Sequence, residues 1–94
     1  MKLPLRFRIL HLLGVEQKAL IPEEIMEKLK DEYGNERQFR KNAIIGHLQS
    51  MKAVGLVQTT EVYLTDAGEL VERFEITDYG RDRLKYLPAQ WKVS

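Results

Sequence analysis

Leu5, Ile9, Leu12 and Leu13 recur at the spacing of one helical face, and Leu3, Phe7 and Leu10 at that of another. Pro4 suits a first helical turn, because its fixed φ and missing N–H cost nothing there. Gly14 offers a C-terminal stop. The pattern therefore predicts a helix over residues 4–14. Its apolar residues run all round, which implies either a central helix buried on most sides or one that gives part of its surface to a dimer. Residues 18–21 read as a short extended stretch, since Ile21 precedes a proline and is pushed out of the helical region. Pro22 opens a second helix with Glu23 and Glu24 at its positive end. Ile25, Met26, Leu29 and Tyr33 form its stripe, and Gly34-Asn35 closes it. A third helix starts within residues 36–41 and runs to about Val54. Its stripe is Ile44, Leu48 and Met51, with Ile45 beside it, and Gly55 stops it.

Beyond Gly55 the period changes. Leu56 to Leu64 is rich in β-branched residues and reads as a strand. Thr65-Asp66-Ala67-Gly68 signals a turn. Leu70 to Ile76 returns, with Leu70, Glu72, Phe74 and Ile76 expected on one face and Val71, Arg73 and Glu75 on the other. Thr77 or Asp78 caps a last helix through Leu87, and Pro88 ends it. Leu64-Thr65-Asp66-Ala67-Gly68 echoes Ile76-Thr77-Asp78-Tyr79-Gly80, so either copy could start a helix. The first reads better as a hairpin turn, because otherwise the preceding strand would have no partner for its backbone groups.

Ninety-four residues suffice for one domain, taken as residues 1–94, with little margin for a core. Apolar residues make up 44% and charged residues 31%, a folded rather than a disordered mix. The absence of cysteine excludes disulfides and thiolate metal sites. No apolar run approaches the ~20 residues of a membrane span. The start lacks a signal-peptide core, being interrupted by Arg6, Arg8 and His11. A cytoplasmic protein without membrane contact is expected.

The order helix, short strand, helix, helix, hairpin, helix is an α+β plan, and two motifs sharpen it. One is Ile44-x3-Leu48-x2-Met51-x3-Gly55-Leu56-Val57, where a helix runs into a strand. The other is Phe74-x-Ile76-Thr77-x2-Gly80, where a strand runs into a helix. At this separation they resemble winged helix-turn-helix proteins: PadR-like and MarR-like transcriptional regulators, and small archaeal and viral winged-helix proteins. The resemblance covers about residues 5–87. It implies a three-helix core, a β-hairpin wing at about 56–76, a C-terminal helix at about 77–87 and a tail at 88–94. It also implies binding of double-stranded DNA, with a recognition helix at about 36–54 in the major groove. The chain departs from both named families. It lacks the aromatic that PadR-like proteins carry before the core leucine of the third helix, and their longer first loop. It also has no room for the terminal dimerisation helices of MarR-like proteins.

Net charge is only +1, so its distribution matters more than its size. Cations gather in the N-terminal segment (Lys2, Arg6, Arg8), around the third helix (Arg37, Arg40, Lys41, Lys52) and in the last (Arg81, Arg83, Lys85). Phosphates must face such residues if DNA is bound. Given the resemblance, Arg37, Arg40 and Lys41 are expected to meet phosphate or guanine, Gln38 and Asn42 to read bases, and His47 to touch backbone or base edges. The wing is acidic (Glu61, Asp66, Glu69, Glu72, Glu75), and Arg73, its only cation, is its expected DNA-binding residue. The wing is expected to add little to DNA binding and could instead meet a protein. A winged helix that binds only proteins is thus the alternative. A homodimer is expected through the first helix, the last helix and Trp91, the last either a mobile tail residue or an anchor on the partner. His11 and His47 stand far apart without a metal-binding pattern, and no phosphate loop or nucleophile motif exists. No cofactor, metal or enzymatic activity is expected.

Overall fold

The computed structural model describes residues 2–91. Helix α1 spans Leu5–Glu16, α2 Pro22–Tyr33 and α3 Lys41–Ala53. Strands β1 (Val57–Leu64) and β2 (Leu70–Ile76) form an antiparallel hairpin. Helix α4 (Asp78–Arg83) tightens into a 3-10 turn at Leu84–Tyr86, and a second 3-10 turn covers Ala89–Trp91. The architecture is α+β: three helices around one core, a β-hairpin and a C-terminal helix.

The helical stripes meet as their spacing requires. Ile9 and Leu13 of α1, Ile25, Leu29 and Tyr33 of α2, and Ile44, Leu48 and Met51 of α3 are all buried, and Val57, Phe74 and Leu84 close the cluster. Withdrawing an apolar side chain of this size from water contributes about 1.5–3 kcal/mol. The extended stretch before α2 adds an isolated antiparallel bridge at Leu20 rather than a strand of its own. Leu20 and Phe74 exchange N–H···O bonds of 2.8 Å in both directions, tying the α1–α2 connection to the hairpin. The Tyr33 hydroxyl donates to the Leu3 carbonyl and anchors the N-terminal segment.

Three local expectations need correction. Helix α1 does not stop at Gly14. It continues to Glu16 and ends on Gln17 in the left-handed region (φ 56). Gly14 lies buried inside the helix, where its carbonyl accepts a bond from Arg81 Nη1 at 3.3 Å. Helix α3 begins at Lys41, so Arg37 and Gln38 sit in the turn before it rather than on the helix. In that turn Glu36 N–H donates to the Tyr33 carbonyl and Phe39 N–H to the Glu36 carbonyl, while Phe39 packs on the core. The hairpin does not alternate as expected. Leu70 is 65% exposed, whereas Val71 is buried together with Phe74. An extra residue at Thr60 breaks the register between Thr59 and Glu61. That bulge, added to the twist of a two-stranded ribbon, turns the distal hairpin. Val71 then lines a small groove with Pro22, Ile45 and Phe74.

Of the expected tail, residues 92–94 lie outside the described residues, and Trp91 packs on its own chain. Trp91 meets His11 edge-to-face at 5.2 Å, and Arg8 stands 5.7 Å from the indole centre while also binding Glu32 at 2.9 Å. Burial, followed by the positive charge of Arg8, holds the His11 imidazole below its ordinary value. A histidine whose native pKa is depressed takes up a proton more readily when unfolded, so stability is full above the unfolded pKa of about 6.5 and falls as pH drops through the lower native one. Denaturant titrations should therefore show stability falling between pH 7 and pH 5. His11→Gln should flatten that slope. An unchanged slope in the variant would exclude His11 as its source.

Candidate nucleic-acid interface

A helix has one face to spare when its opposite stripe is buried. With Ile44, Leu48 and Met51 turned inward, α3 turns Asn42, Gly46, Gln49, Ser50 and Ala53 outward, and all five are exposed. This ridge is uncharged, and its side chains are short at Gly46, Ser50 and Ala53. Gly46 is not a packing glycine: a Cβ added there meets nothing within 4 Å. Gly46→Ala is accordingly expected to stabilise the protein by about 0.5–1 kcal/mol, the usual gain for a helix interior. The check is a thermal melt. At roughly 4–8 °C per kcal/mol for a domain this size, the midpoint should rise by several degrees, and a fall would mean that the face is occupied.

The cations divide into two groups. Arg37 and Arg40, in the turn leading into α3, are exposed and make no side-chain hydrogen bond or ion pair among the described residues. Arg40 is the extended N-cap residue of α3, and no side chain caps that helix end. Its first-turn N–H groups therefore add to the positive character of the turn. Gln38 and Asn42 are exposed beside them.

Lys41, by contrast, is held by two carboxylates, Glu23 at 2.7 Å and Glu69 at 3.5 Å. The bond to Glu23 raises the Lys41 pKa, and the same bond lowers that of Glu23. Further along α3, the wing residue Glu72 accepts from Gln49 Nε2 at 2.5 Å, Lys52 Nζ at 3.2 Å and Thr59 Oγ1 at 2.9 Å. Burial alone would raise the Glu72 pKa, but these donors outweigh it and leave the carboxyl below its ordinary range.

His47 lies on the opposite flank, partly buried, its pKa lowered by burial and then by nearby Arg6. Arg6 donates from Nη2 to Ser50 Oγ at 2.6 Å and brings an α1 cation to the edge of the ridge. The α3 pattern could not show this contact. The cationic start of α1 was its only sequence signal.

Arg73 does not join the others. Its Nη1 donates to Glu24 at 3.1 Å and to the Ala19 carbonyl at 3.3 Å, and its Nε to Glu61 at 3.2 Å. The guanidinium clamps the base of the hairpin to the α1–α2 connection. The structure thus gathers Arg37, Gln38, Arg40 and Asn42 at one end of the ridge, ties Lys41 to acids beside it, sets His47 on the far flank and commits Arg73 elsewhere.

A second surface lies behind the core. Phe7 of α1, Val54, Tyr79 and Tyr86 are about half exposed or more and rim an apolar groove of about 380 Å³, floored by Leu10, Met51 and Leu84. Arg83 stacks over Tyr86 at 4.3 Å. No helix among the described residues is long and apolar enough to cross a membrane.

A helix-turn-helix of α2 and α3, carried on α1 and followed by a hairpin that returns into a last helix, defines the winged helix-turn-helix class. Among solved structures, a PadR-like transcriptional regulator from Bacillus cereus matches with a TM-score of 0.62 at 22% identity, over 86% of this chain and 74% of that one. Bacillus subtilis PadR, solved in complex with operator DNA, matches with a TM-score of 0.64 at 18% identity. That match covers 97% of this chain and 54% of PadR, so the chain spans about half of PadR's length. At these identities the likeness establishes the fold. No family model and no curated protein sequence matches the chain.

Proposed function

We propose that this chain is a sequence-specific, double-stranded DNA-binding transcription regulator, cytoplasmic and without enzymatic activity. One observation carries the reading: the outward face of α3 is uncharged, with short side chains at Gly46, Ser50 and Ala53, and two arginines that are unpaired among the described residues stand at its leading end. A major groove admits such a helix, and close approach favours short side chains along the ridge. Arg37 and Arg40 take phosphates or guanine. Gln38 and Asn42 offer the amide groups that pair with adenine, and His47 touches the backbone from the flank. Lys41 joins only when its carboxylates release it. Arg73 is set apart from the contact, because its Nε and Nη1 donate inside the fold. The operator complex of the PadR neighbour supports DNA as the ligand of this fold.

The reading includes a homodimer. Its interface is the apolar surface of α1 and the C-terminal helix, with Trp91 at the edge, where it covers His11 of its own chain. Two α3 helices roughly 34 Å apart would then enter successive major grooves of a pseudo-palindromic site.

The test is a salt titration of binding to random duplex DNA, paired with a mass measurement. A DNA binder loses affinity log-linearly with salt, with a slope of about −0.9 for each phosphate neutralised. Salt-independent or absent binding would sink the proposal. The competing reading, a module that binds only proteins, is favoured by one feature of the hairpin tip: Leu64 and Leu70 are 67% and 65% exposed among acidic neighbours.

A further inference from the structure

The acids of the wing and of α2 do not simply face solvent; they occupy donors of α3. Glu23 and Glu69 converge on Lys41 from two different elements, α2 and the hairpin turn. Glu72 gathers Gln49, Lys52 and Thr59. Every donor on the wing-side flank of the helix that could reach a phosphate is thereby matched to a carboxylate before any polyanion arrives. The opposite flank and the leading turn carry no such matching: Arg37 and Arg40 are unpaired among the described residues, and Arg6 binds only a serine hydroxyl.

We propose that Glu23, Glu69 and Glu72 form a carboxylate gate on the DNA surface, withholding Lys41 and Lys52 from phosphates and keeping the wing off the duplex. This inference rests on the DNA-binding reading above and deepens it. Sequence-blind association draws essentially all its affinity from phosphate contacts. A lysine bound to two carboxylates contributes to that association only if both are displaced, and the displaced acids then face the same phosphates. Complexes that rest on charge alone are therefore weakened. Contacts of Asn42 and Gln38 with base edges do not depend on the gated lysines and are left intact. The depressed pKa of Glu23 and of Glu72 agrees with carboxylates that stay ionised and engaged.

The experiment compares two double variants with the same change in net charge. Glu23→Gln/Glu69→Gln frees Lys41. Asp66→Asn/Glu75→Gln removes two acids that touch neither Lys41 nor Lys52. Binding to a random duplex is measured between 50 and 300 mM salt, and a thermal melt confirms that each variant is folded. In the gate variant the log–log salt slope should steepen by about 0.9, one further phosphate, and affinity near 0.1 M salt should rise roughly 8-fold. The control should keep the wild-type slope. Adding Lys41→Gln to the gate variant should cancel the gain. Equal shifts in both double variants, or no shift in either, overturn the gate while leaving DNA binding in place. If wild type and all variants alike leave the duplex unbound at low salt, the DNA reading fails and the gate falls with it.

Discussion

Gly80→Ala is expected to destabilise the protein by about 3 kcal/mol or more, although it adds a single methyl group. Gly80 opens the way from β2 into α4. A Cβ there would overlap the Leu56 carbonyl oxygen and stand 2.8 Å from Ile76 Cγ1. The carbonyl cannot retreat easily. It accepts the Thr77 N–H at 3.1 Å and lies 3.1 Å from Thr77 Oγ1, while that same Oγ1 accepts the Gly80 N–H at 2.9 Å to cap the helix. Moving Gly80 away thus breaks the cap as well as the junction between α3 and the hairpin. Overpacking of a core costs typically 1–3 kcal/mol, more where backbone must shift. A domain of this length has only about 5–14 kcal/mol in all. The midpoint of thermal unfolding should fall by about 12 °C or more. A variant melting within two or three degrees of the parent would show that the strand-to-helix return is looser than this geometry requires.

The other large effect concerns the leading turn of α3. Arg37→Glu/Arg40→Glu should lower affinity for a random duplex about 50-fold or more near 0.1 M salt, and should make the salt slope shallower by about 1.8, two phosphate contacts. Unpaired exposed arginines contribute through the ligand rather than the fold, so thermal stability should stay within about 0.5 kcal/mol of the parent. This separation makes the variant informative, because loss of binding cannot then be assigned to unfolding. Lys41→Gln provides the comparison. Its cation is already engaged by Glu23 and Glu69, so its removal alone should change the slope far less than either arginine. A slope untouched by the arginine pair would remove the leading turn from the interface. A slope moved equally by Lys41→Gln would remove the distinction between free and held cations.

Much of this candidate interface was legible as composition but not as geometry. The cluster Arg37, Gln38, Arg40, Lys41 and Asn42 is visible in the chain, yet nothing local says that Lys41 faces two carboxylates while Arg37 and Arg40 face none among the described residues. Glu23 lies far back on α2 and Glu69 far forward in the hairpin turn. Only the packing of three elements brings them to one ammonium group. Arg73 is the same lesson with the opposite expectation. As the wing's only cation it invites a phosphate, but Glu24, Glu61 and the Ala19 carbonyl reach it first.

The two echoed segments separate what the chain settles by itself from what it does not. Both carry a Thr whose hydroxyl oxygen accepts a backbone N–H, from Glu69 at 3.1 Å in the first and from Gly80 at 2.9 Å in the second. That much follows from the side chain alone. The sequence also determined the helical stripes, the proline start of α2 and the existence of the hairpin, since periodicity and stereochemistry act within a few residues. The local sequence left both outcomes open at Gly68, which takes a left-handed φ of 83° and turns the chain back, and at Gly80, which continues a helix; the need of the preceding strand for a partner chose between them. That outcome depends on the Leu56 carbonyl at one site and on a returning partner strand at the other. The same holds for the start of α3, set by Phe39 packing on the core, and for the pairing of Lys41. Burial and charge pairing are decided between segments distant along the chain, and only the folded chain brings those segments together.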